Sequence, residues 1–227
     1  MKQIMLKAQG IIKSYGKLNV LKGIDLEIKA NEIVSIMGAS GAGKSTLLQI
    51  LGTLDLPNGG QVWIDNTEIT SLSGDDLAKF RNEKIGFVFQ FHNLLPEFTA
   101  LENVCMPALI AGKQMSEVEE KGKKLMTLLN VGDRFEHKPT EMSGGEQQRC
   151  AIARALINDP LIIFADEPSG NLDSNNAEGL HNLFLELRDT MNQTFVIVTH
   201  NHELAKMADR QLWISDGKMD LSDDIHS

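Results

Sequence analysis

The sequence predicts an α/β fold in which a parallel sheet is interrupted by an inserted helical subdomain. Strands and helices alternate before about residue 90 and again after residue 160, which is the pattern of a sheet covered by helices. Between these parts, residues 91–159 carry helical spacing without a convincing strand. We therefore expect one domain over residues 1–227, with an α/β core formed by residues 1–90 and 160–227.

Strand patterns dominate the first third of the chain. Ile24–Ile28 and Gln61–Asp65 alternate apolar with polar residues, as half-exposed strands do, and Ile11–Tyr15 is a third short candidate. Glu32–Met37 is more continuously apolar, which is typical of a central strand. A helix over Lys44–Gly52 is expected to follow. The cluster of turn-forming residues at 56–60 prevents it from continuing further.

The remaining segments complete this alternation. Ile85–Phe89 is a further strand candidate, and aliphatic and aromatic residues dominate Leu161–Ala165 and Thr194–Thr199, as in buried parallel strands. Helical spacing is found in Ala100–Ala111, Glu117–Leu129 and Glu146–Ile157 within the insertion, and in Asn175–Met191 and Asn201–Ala208 within the core.

Composition and charge limit the possible functions. The 227 residues are 42% hydrophobic and 23% charged, enough for a sizeable core, and the formal net charge is −9. An acidic chain is a poor candidate for broad nucleic-acid binding, which needs a basic face. No apolar run approaches the roughly 18 residues that span a bilayer, and the N-terminus lacks a signal-peptide pattern. We expect a cytoplasmic protein whose membrane role depends on a partner.

A phosphate-binding loop is the most specific motif. Residues 38–45 match the pattern G-x-x-x-x-G-K-[ST] between an apolar strand and a helix. Glycines there let backbone N–H groups converge on an anion, and the helix start adds positive potential, whereas a flexible linker would not sit so tightly between two elements. Lys44 is expected to reach the β- and γ-phosphates of a nucleotide, and Ser45 to ligate Mg²⁺. The predicted nucleotide-binding residues are Gly38, Ala39, Ser40, Gly41, Ala42, Gly43, Lys44, Ser45 and Thr46.

A second strand ends in two carboxylates. Leu161–Ala165 is followed by Asp166 and Glu167, and ligands of open α/β sheets bind at the carboxyl ends of the strands. Asp166 is therefore predicted to hold Mg²⁺, and Glu167 to be the general base that deprotonates the attacking water. The alternative is an exposed acidic turn, which the phosphate loop earlier in the chain disfavours.

Two further polar residues follow predicted strands. Gln90 comes after Ile85–Phe89, where its amide could contact both Mg²⁺ and water. His200 comes after Thr194–Thr199, where it could hydrogen-bond the γ-phosphate. Alone, each would be an ordinary loop residue, and His200 could instead cap the following helix. Their common position at strand ends makes both candidate catalytic residues.

The insertion contains a second helix start that is suited to an anion. Ser143 and Glu146 form an S-x-x-E capping box, and Gly144 and Gly145 leave the backbone N–H groups accessible. One chain with two such helix starts predicts a head-to-tail dimer. Each copy would then offer Ser143, Gly144 and Gly145 to the nucleotide held by the other.

These motifs, in this order, resemble the ABC ATPase family over nearly the whole chain. The resemblance rests on the phosphate loop, Gln90, the signature at residues 143–145, the acidic strand, the Gly170–Asp173 loop and His200. It implies a P-loop NTPase core with an antiparallel β subdomain and an inserted α-helical subdomain. It also implies an ATPase that uses ATP and Mg²⁺.

The resemblance adds two residues to the site and shows one departure. Tyr15 would stack on adenine, with a partly buried strand aromatic as the alternative, and Asp173 would lie at the dimer interface. The usual family signature is LSGGQ, whereas this chain has MSGGE. By this resemblance, Glu146 would bring a carboxylate near the partner's nucleotide, which argues against a direct contact from this position to ATP but leaves the expected roles of Ser143 and Gly145 unchanged.

Within the family, Phe89–Val104 and Leu51–Asp55 resemble ATPases of lipoprotein-releasing systems of the bacterial inner membrane. Macrolide-exporter and cell-division ATPases share much of this pattern and remain alternatives. The resemblance implies that integral membrane subunits contact Phe91–Val104. Four residues of this segment are candidates for an exposed apolar surface, or alternatively for the core of the helical subdomain: Phe91, Leu94, Leu95 and Phe98.

The resulting hypothesis is an ATP-driven dimer on the cytoplasmic face of the inner membrane. Two copies enclose two MgATP molecules, hydrolysis reopens the dimer, and membrane subunits convert this movement into transport. A soluble ABC ATPase acting on nucleic acid is disfavoured by the acidic charge and the single cassette. A nucleotide-regulated binding module without turnover is disfavoured by the set Lys44, Asp166, Glu167 and His200.

Overall fold

Two sheets and the helices around them form residues 2–220, the part of the chain that the computed structural model describes. The strands are β1 Ile4–Tyr15, β2 Leu18–Lys29, β3 Ile33–Met37, β4 Gly59–Ile64, β5 Thr67–Glu68, β6 Ile85–Phe89, β7 Ile162–Asp166, β8 Thr194–Val198, β9 Arg210–Ser215 and β10 Lys218–Asp220. The α-helices are α1 Lys44–Leu51, α2 Gly74–Lys84, α3 Ala100–Ile110, α4 Met115–Leu128, α5 Gly144–Leu156, α6 Ser174–Met191 and α7 His202–Met207. Short 3₁₀ turns lie at Ile69–Ser71 and Pro139–Glu141.

The smaller sheet is antiparallel, with the strand order β2-β1-β4-β5. The side chains from Ile24 to Ile28 alternate between buried and exposed, as the sequence predicts. This alternation arises because successive residues of a strand point to opposite faces, and only one face of this sheet covers the core.

The larger sheet has the order β10-β9-β3-β8-β7-β6, and its strands are parallel apart from the β9–β10 pair. The residues of β3 and β8 are all buried, as expected for central strands with helices on both faces. The predicted α/β class with a parallel sheet and an antiparallel β part is confirmed.

The two faces of the larger sheet belong to different hydrophobic clusters. Ile162 and Phe164 of β7 pack into the cluster that contains α1 and the antiparallel sheet, whereas Ile163 and Ala165 pack into the cluster that contains α3 to α6. Adjacent residues of β7 therefore pack on opposite faces of the sheet, as the two-residue period of a strand requires. The sheet is held between these layers, and its strand ends are fixed in position.

The interval between β6 and β7 contains α3, α4, the Pro139–Glu141 turn and α5, and no strand is found there among the described residues. Thr99 and Ser143 cap α3 and α5 with capping boxes, so both helix starts are specified locally. The division into a core of residues 1–90 and 160–227 and an insertion of about residues 91–159 remains a prediction. Residues 1 and 221–227 of that division lie outside the described part.

Several elements differ from the sequence-based expectation. β3 begins at Ile33 rather than Glu32, β7 includes Asp166, and β1 begins at Ile4. Helix α2 and strands β9 and β10 were not predicted. Leu77 is the single buried residue that α2 presents, so this helix lacks the apolar stripe that a pattern search detects. No helix among residues 2–220 is both long and apolar enough to cross a membrane.

Candidate active site

The carboxyl ends of the central strands meet at one edge of the larger sheet. The strand register pairs Phe89 with Asp166, Asp166 with Val198, and Val198 with Ile36. The residues that leave these strands therefore emerge side by side. Four predicted site residues line one cavity of about 310 Å³ at this edge: Ser45, Gln90, Asp166 and Glu167.

The phosphate loop connects β3 to α1 at the same edge. The Nζ of Lys44 donates hydrogen bonds to the carbonyl oxygens of Gly38 and Ala39, at 2.9 and 3.0 Å. The ammonium group is thus held over the loop beside the helix start. Gly43 is the N-cap of α1 and offers no side-chain acceptor, so no cap side chain occupies the first N–H groups of the helix. An anion is the ligand that suits such a helix start.

Ser45 and Asp166 form a polar pair suited to a divalent cation. The Oγ of Ser45 lies 3.2 Å from Oδ1 of Asp166. Burial raises the pKa of Asp166, with an opposing effect from the Ser45 hydrogen bond, and a bound cation would offset that burial cost. Residues 2–220 contain no group of three or more His, Cys, Asp and Glu side chains arranged for a metal.

Glu167 and His200 are directly joined. The Nδ1 of His200 lies 2.8 Å from Oε1 of Glu167, and the backbone N–H of His200 donates to Oε2 at 3.2 Å. Glu167 has a φ of 47°, and its own N–H donates to the carbonyl of Val198 at 2.9 Å. The alternative role of His200 as a helix cap is wrong, because Asn201 caps α7.

Gln90 is held by a residue that the sequence did not single out. The side-chain amides of Gln90 and Asn171 are 3.1 Å apart, and Asn171 also donates to the backbone carbonyl of Gln90 at 3.0 Å. A Cβ on Gly170 would lie 2.8 Å from Nε2 of Gln90, so the loop approaches closely because this residue is glycine. Asn171 belongs to the loop that carries the family resemblance, but the pattern alone does not reveal its partner.

Tyr15 lies at the end of β1, and the residue is about half exposed (49%). Its hydroxyl donates to Oδ2 of Asp55 at 2.6 Å, and this bond is the main cause of the raised pKa of Tyr15. The Nζ of Lys13 lies over the ring, 5.0 Å from its centre, and also 2.6 Å from Oδ1 of Asp55. The sequence did not indicate Lys13, and it indicated Asp55 only as the end of the segment Leu51–Asp55, without its contact with Tyr15. Stacking of Tyr15 on adenine stays a prediction.

The signature residues form a second cluster at the start of α5. The capping box is confirmed, with the N–H of Glu146 bonded to Oγ of Ser143 at 3.3 Å and the N–H of Ser143 bonded to the Glu146 carboxylate at 2.7 Å. A Cβ on Gly145 would lie 2.8 Å from Oδ1 of Asn176, so this helix start packs against the start of α6, which Asp173 caps. Ser143, Gly144 and Gly145 are thus grouped with the Asp173 segment, and their contact with a nucleotide remains a prediction.

Comparison with known proteins gives consistent matches. The model of the ABC transporter family matches residues 21–170. The lipoprotein-releasing system ATP-binding protein LolD of Cytophaga hutchinsonii is 59% identical over 215 residues, which cover 95% of this chain and 98% of that protein. The protein of the same description from Aquifex aeolicus is 50% identical over 215 residues, or 95% of this chain and 96% of that protein.

A solved structure matches over almost the full length. It is a dimeric post-hydrolysis state of the ATP-binding cassette MJ0796 bound to ADP and Pi, with a TM-score of 0.87 and 42% sequence identity. The match covers 95% of this chain and 97% of that chain.

Proposed function

Because this chain belongs to the ABC transporter family, we propose that it is the ATP-hydrolysing subunit of a lipoprotein-releasing transporter of the bacterial inner membrane. One observation carries the enzymatic part: the pairs Ser45–Asp166 and Glu167–His200 and the side chain of Gln90 meet at one strand edge beside the phosphate loop. The support for lipoprotein release is the identity of 46–59% to relatives described as LolD, over at least 92% of this chain.

Nucleotide binding begins at the phosphate loop. The Nζ of Lys44 would exchange its hydrogen bonds to the loop carbonyls for hydrogen bonds to phosphate oxygens. The uncapped N–H groups at the start of α1 would donate to the same phosphates. Ser45 and Asp166 would hold Mg²⁺, which neutralises phosphate charge when it is bound. These groups come from rigid elements of the core, so the phosphates would be fixed relative to Glu167.

Hydrolysis then depends on Glu167. Its side chain is 19% exposed and is held by two contacts from His200, which orient the carboxylate at the strand edge. A carboxylate fixed beside the terminal phosphate can orient water and accept its proton. His200 would thereby position Glu167, and we expect it also to hydrogen-bond the γ-phosphate.

A second copy of the chain would complete the site. The start of α5, with Ser143 and the N–H groups of Gly144 and Gly145, packs against the start of α6, which Asp173 caps. The dimeric state of the similar cassette MJ0796 with ADP and Pi supports association of two copies here, and we propose that they associate head to tail. Each helix start would then meet the terminal phosphate of the ATP held by the other copy.

The surface near Gln90 is proposed as the contact with integral membrane subunits. Phe91 is 74% exposed, and Leu95 and Phe98 are also exposed. Leu94 instead packs against the core, in agreement with the alternative prediction that it belongs to the core of the helical subdomain. A groove of about 290 Å³ lies beside Asn93 and Arg154. Arg154 donates to the carbonyls of His92 and Asn93, at 2.6 and 2.5 Å. The partner surface and the signature helix α5 are thus linked.

The stacking role of Tyr15 can be tested through nucleotide affinity. Tyr15→Ala is expected to weaken ATP binding about 5- to 150-fold, because stacking of a base on an aromatic ring contributes about 1–3 kcal/mol. Tyr15→Phe keeps the ring and loses only the bond to Asp55, so its affinity should stay within about threefold of the parent. Calorimetric titration with ATP measures both. Equal losses in the two variants would assign the effect to the Asp55 bond instead.

Copurification tests the assigned function as a whole. The tagged chain should be recovered from solubilised bacterial membranes together with integral membrane subunits, and the reconstituted complex should release an acylated lipoprotein from proteoliposomes only with ATP. The same complex with Glu167→Gln is the matched control and should release none. Recovery with nucleic acid, or ATP-dependent movement of a small hydrophobic compound but not of the lipoprotein, would contradict the assignment.

A further inference from the structure

The start of α5 holds a fixed carboxylate at the face proposed to meet phosphate. The second oxygen of Glu146, Oε2, accepts hydrogen bonds from the backbone N–H of Ser143 at 2.7 Å and from its Oγ at 2.9 Å. The other oxygen, Oε1, lies 2.8 Å from Nε of Arg134. The hydroxyl that the dimer would use is therefore bonded to a carboxylate whose one cationic partner among the described residues is Arg134.

The negative charge of Glu146 should oppose the approach of a nucleotide phosphate to Ser143, which the proposed dimer requires. It lies three residues from the signature serine, and like charges within a Debye length of about 10 Å repel each other. The side chain of Glu146 is only 26% exposed, so water screens it incompletely. The bond from the Ser143 N–H lowers the pKa of Glu146, and Arg134 lowers it further, so that the group stays ionised at neutral pH.

The guanidinium of Arg134 is positioned to neutralise the negative charge of Glu146. It lies in the segment between α4 and the Pro139–Glu141 turn, and its side chain is 31% exposed. Its NH1 bonds Asp133 at 2.6 Å, but Asp133 is 69% exposed and is therefore largely screened by solvent. The solvent-exposed carboxylate of Asp133 thus orients the guanidinium of Arg134 toward the less exposed carboxylate of Glu146.

Resting on the proposed dimer, we propose that Arg134 is a positioning residue for ATP-driven association of two copies. Its guanidinium neutralises Glu146 and fixes the carboxylate that orients Ser143, so that this helix start can approach the terminal phosphate on a second copy. A chain with glutamine at residue 146 would not need this neutralisation. The roles of Arg134 and Glu146 are therefore coupled.

A double-mutant cycle tests this coupling. In chains that carry Glu167→Gln, light scattering gives the ATP concentration for half-maximal dimerisation. Arg134→Ala is expected to raise that concentration at least tenfold when residue 146 is glutamate. In the Glu146→Gln background the same substitution should raise it less than threefold. The same Arg134 and Glu146 substitutions, made in chains that keep Glu167 and are assembled with the membrane subunits, should show the same ratios in kcat/KM for ATP.

A second arginine provides the matched control. Arg188 also pairs with a neighbouring carboxylate, Asp189, and a distant one, Asp209, both at 2.8 Å. Arg188→Ala should lower the thermal unfolding temperature but leave the ATP requirement within threefold. Equal effects of Arg134→Ala in both backgrounds, or a lowered unfolding temperature alone, would overturn the positioning role. A parent that neither dimerises nor hydrolyses ATP, even with the membrane subunits, would contradict the proposed function itself, and with it this role.

Discussion

Glu167→Gln should slow ATP hydrolysis by about 10²- to 10⁴-fold, since removal of a general base costs about this much. The amide has the shape of the carboxylate and can still accept the N–H of His200, which now bonds Oε2 at 3.2 Å. The site should therefore stay assembled while it loses the group that takes the proton from water. Phosphate release under saturating ATP measures turnover, and calorimetric titration should show that ATP binding is retained.

Glu203→Gln is the control for the loss of one negative charge near the same strand edge. Glu203 lies on α7 and pairs with Lys206 at 3.0 Å, with 76% of its side chain exposed. An exposed pair of this kind contributes little, so its turnover should stay within about twofold of the parent. Near-normal hydrolysis in Glu167→Gln would remove Glu167 from the role of base.

The sequence predicted those parts of the fold and site that repeat a local physical rule. Strand alternation identified Ile24–Ile28, continuous apolar runs identified β3 and β8, and the S-x-x-E pattern identified the capping box of Ser143. The expectation that polar residues after parallel strands would meet at one edge also agrees with the structure, because the register of a parallel sheet aligns its strand ends.

Contacts between distant segments could not be predicted in this way. Asn171 holds Gln90 across 81 residues of sequence, and Asp55 binds Tyr15 across 40. Neither partner lies in a periodic pattern, since each is a short polar side chain in a loop whose position depends on the packing of two other elements. Helix α2 was missed for a related reason: Leu77 is its single buried residue, so its position depends on tertiary contact rather than on an apolar stripe.

Gly38→Ala should lower the free energy of unfolding by about 2–6 kcal/mol. Gly38 has a φ of 151°, and a Cβ there would lie 2.2 Å from the backbone carbonyl oxygen of Ile214. That carbonyl belongs to β9, which pairs with β3 up to Met37 and Trp213, so neither strand can move without breaking the sheet. Overpacking costs about 1–3 kcal/mol and backbone strain about 1–3 kcal/mol more, a large fraction of the 5–15 kcal/mol that stabilises an ordinary domain.

Gly41→Ala separates this packing effect from the backbone requirement of the loop. Gly41 also has a positive φ, 78°, but no atom lies within 4 Å of the Cβ it would gain. The substitution should therefore cost only about 1–2 kcal/mol of conformational strain. Urea unfolding of both variants gives the difference, expected to be about 1–3 kcal/mol in favour of Gly41→Ala, which is the overpacking cost that Gly38→Ala alone carries. Similar stabilities would mean that β9 yields at Ile214, and that the first glycine of the loop serves phosphate binding rather than the close approach of two strands.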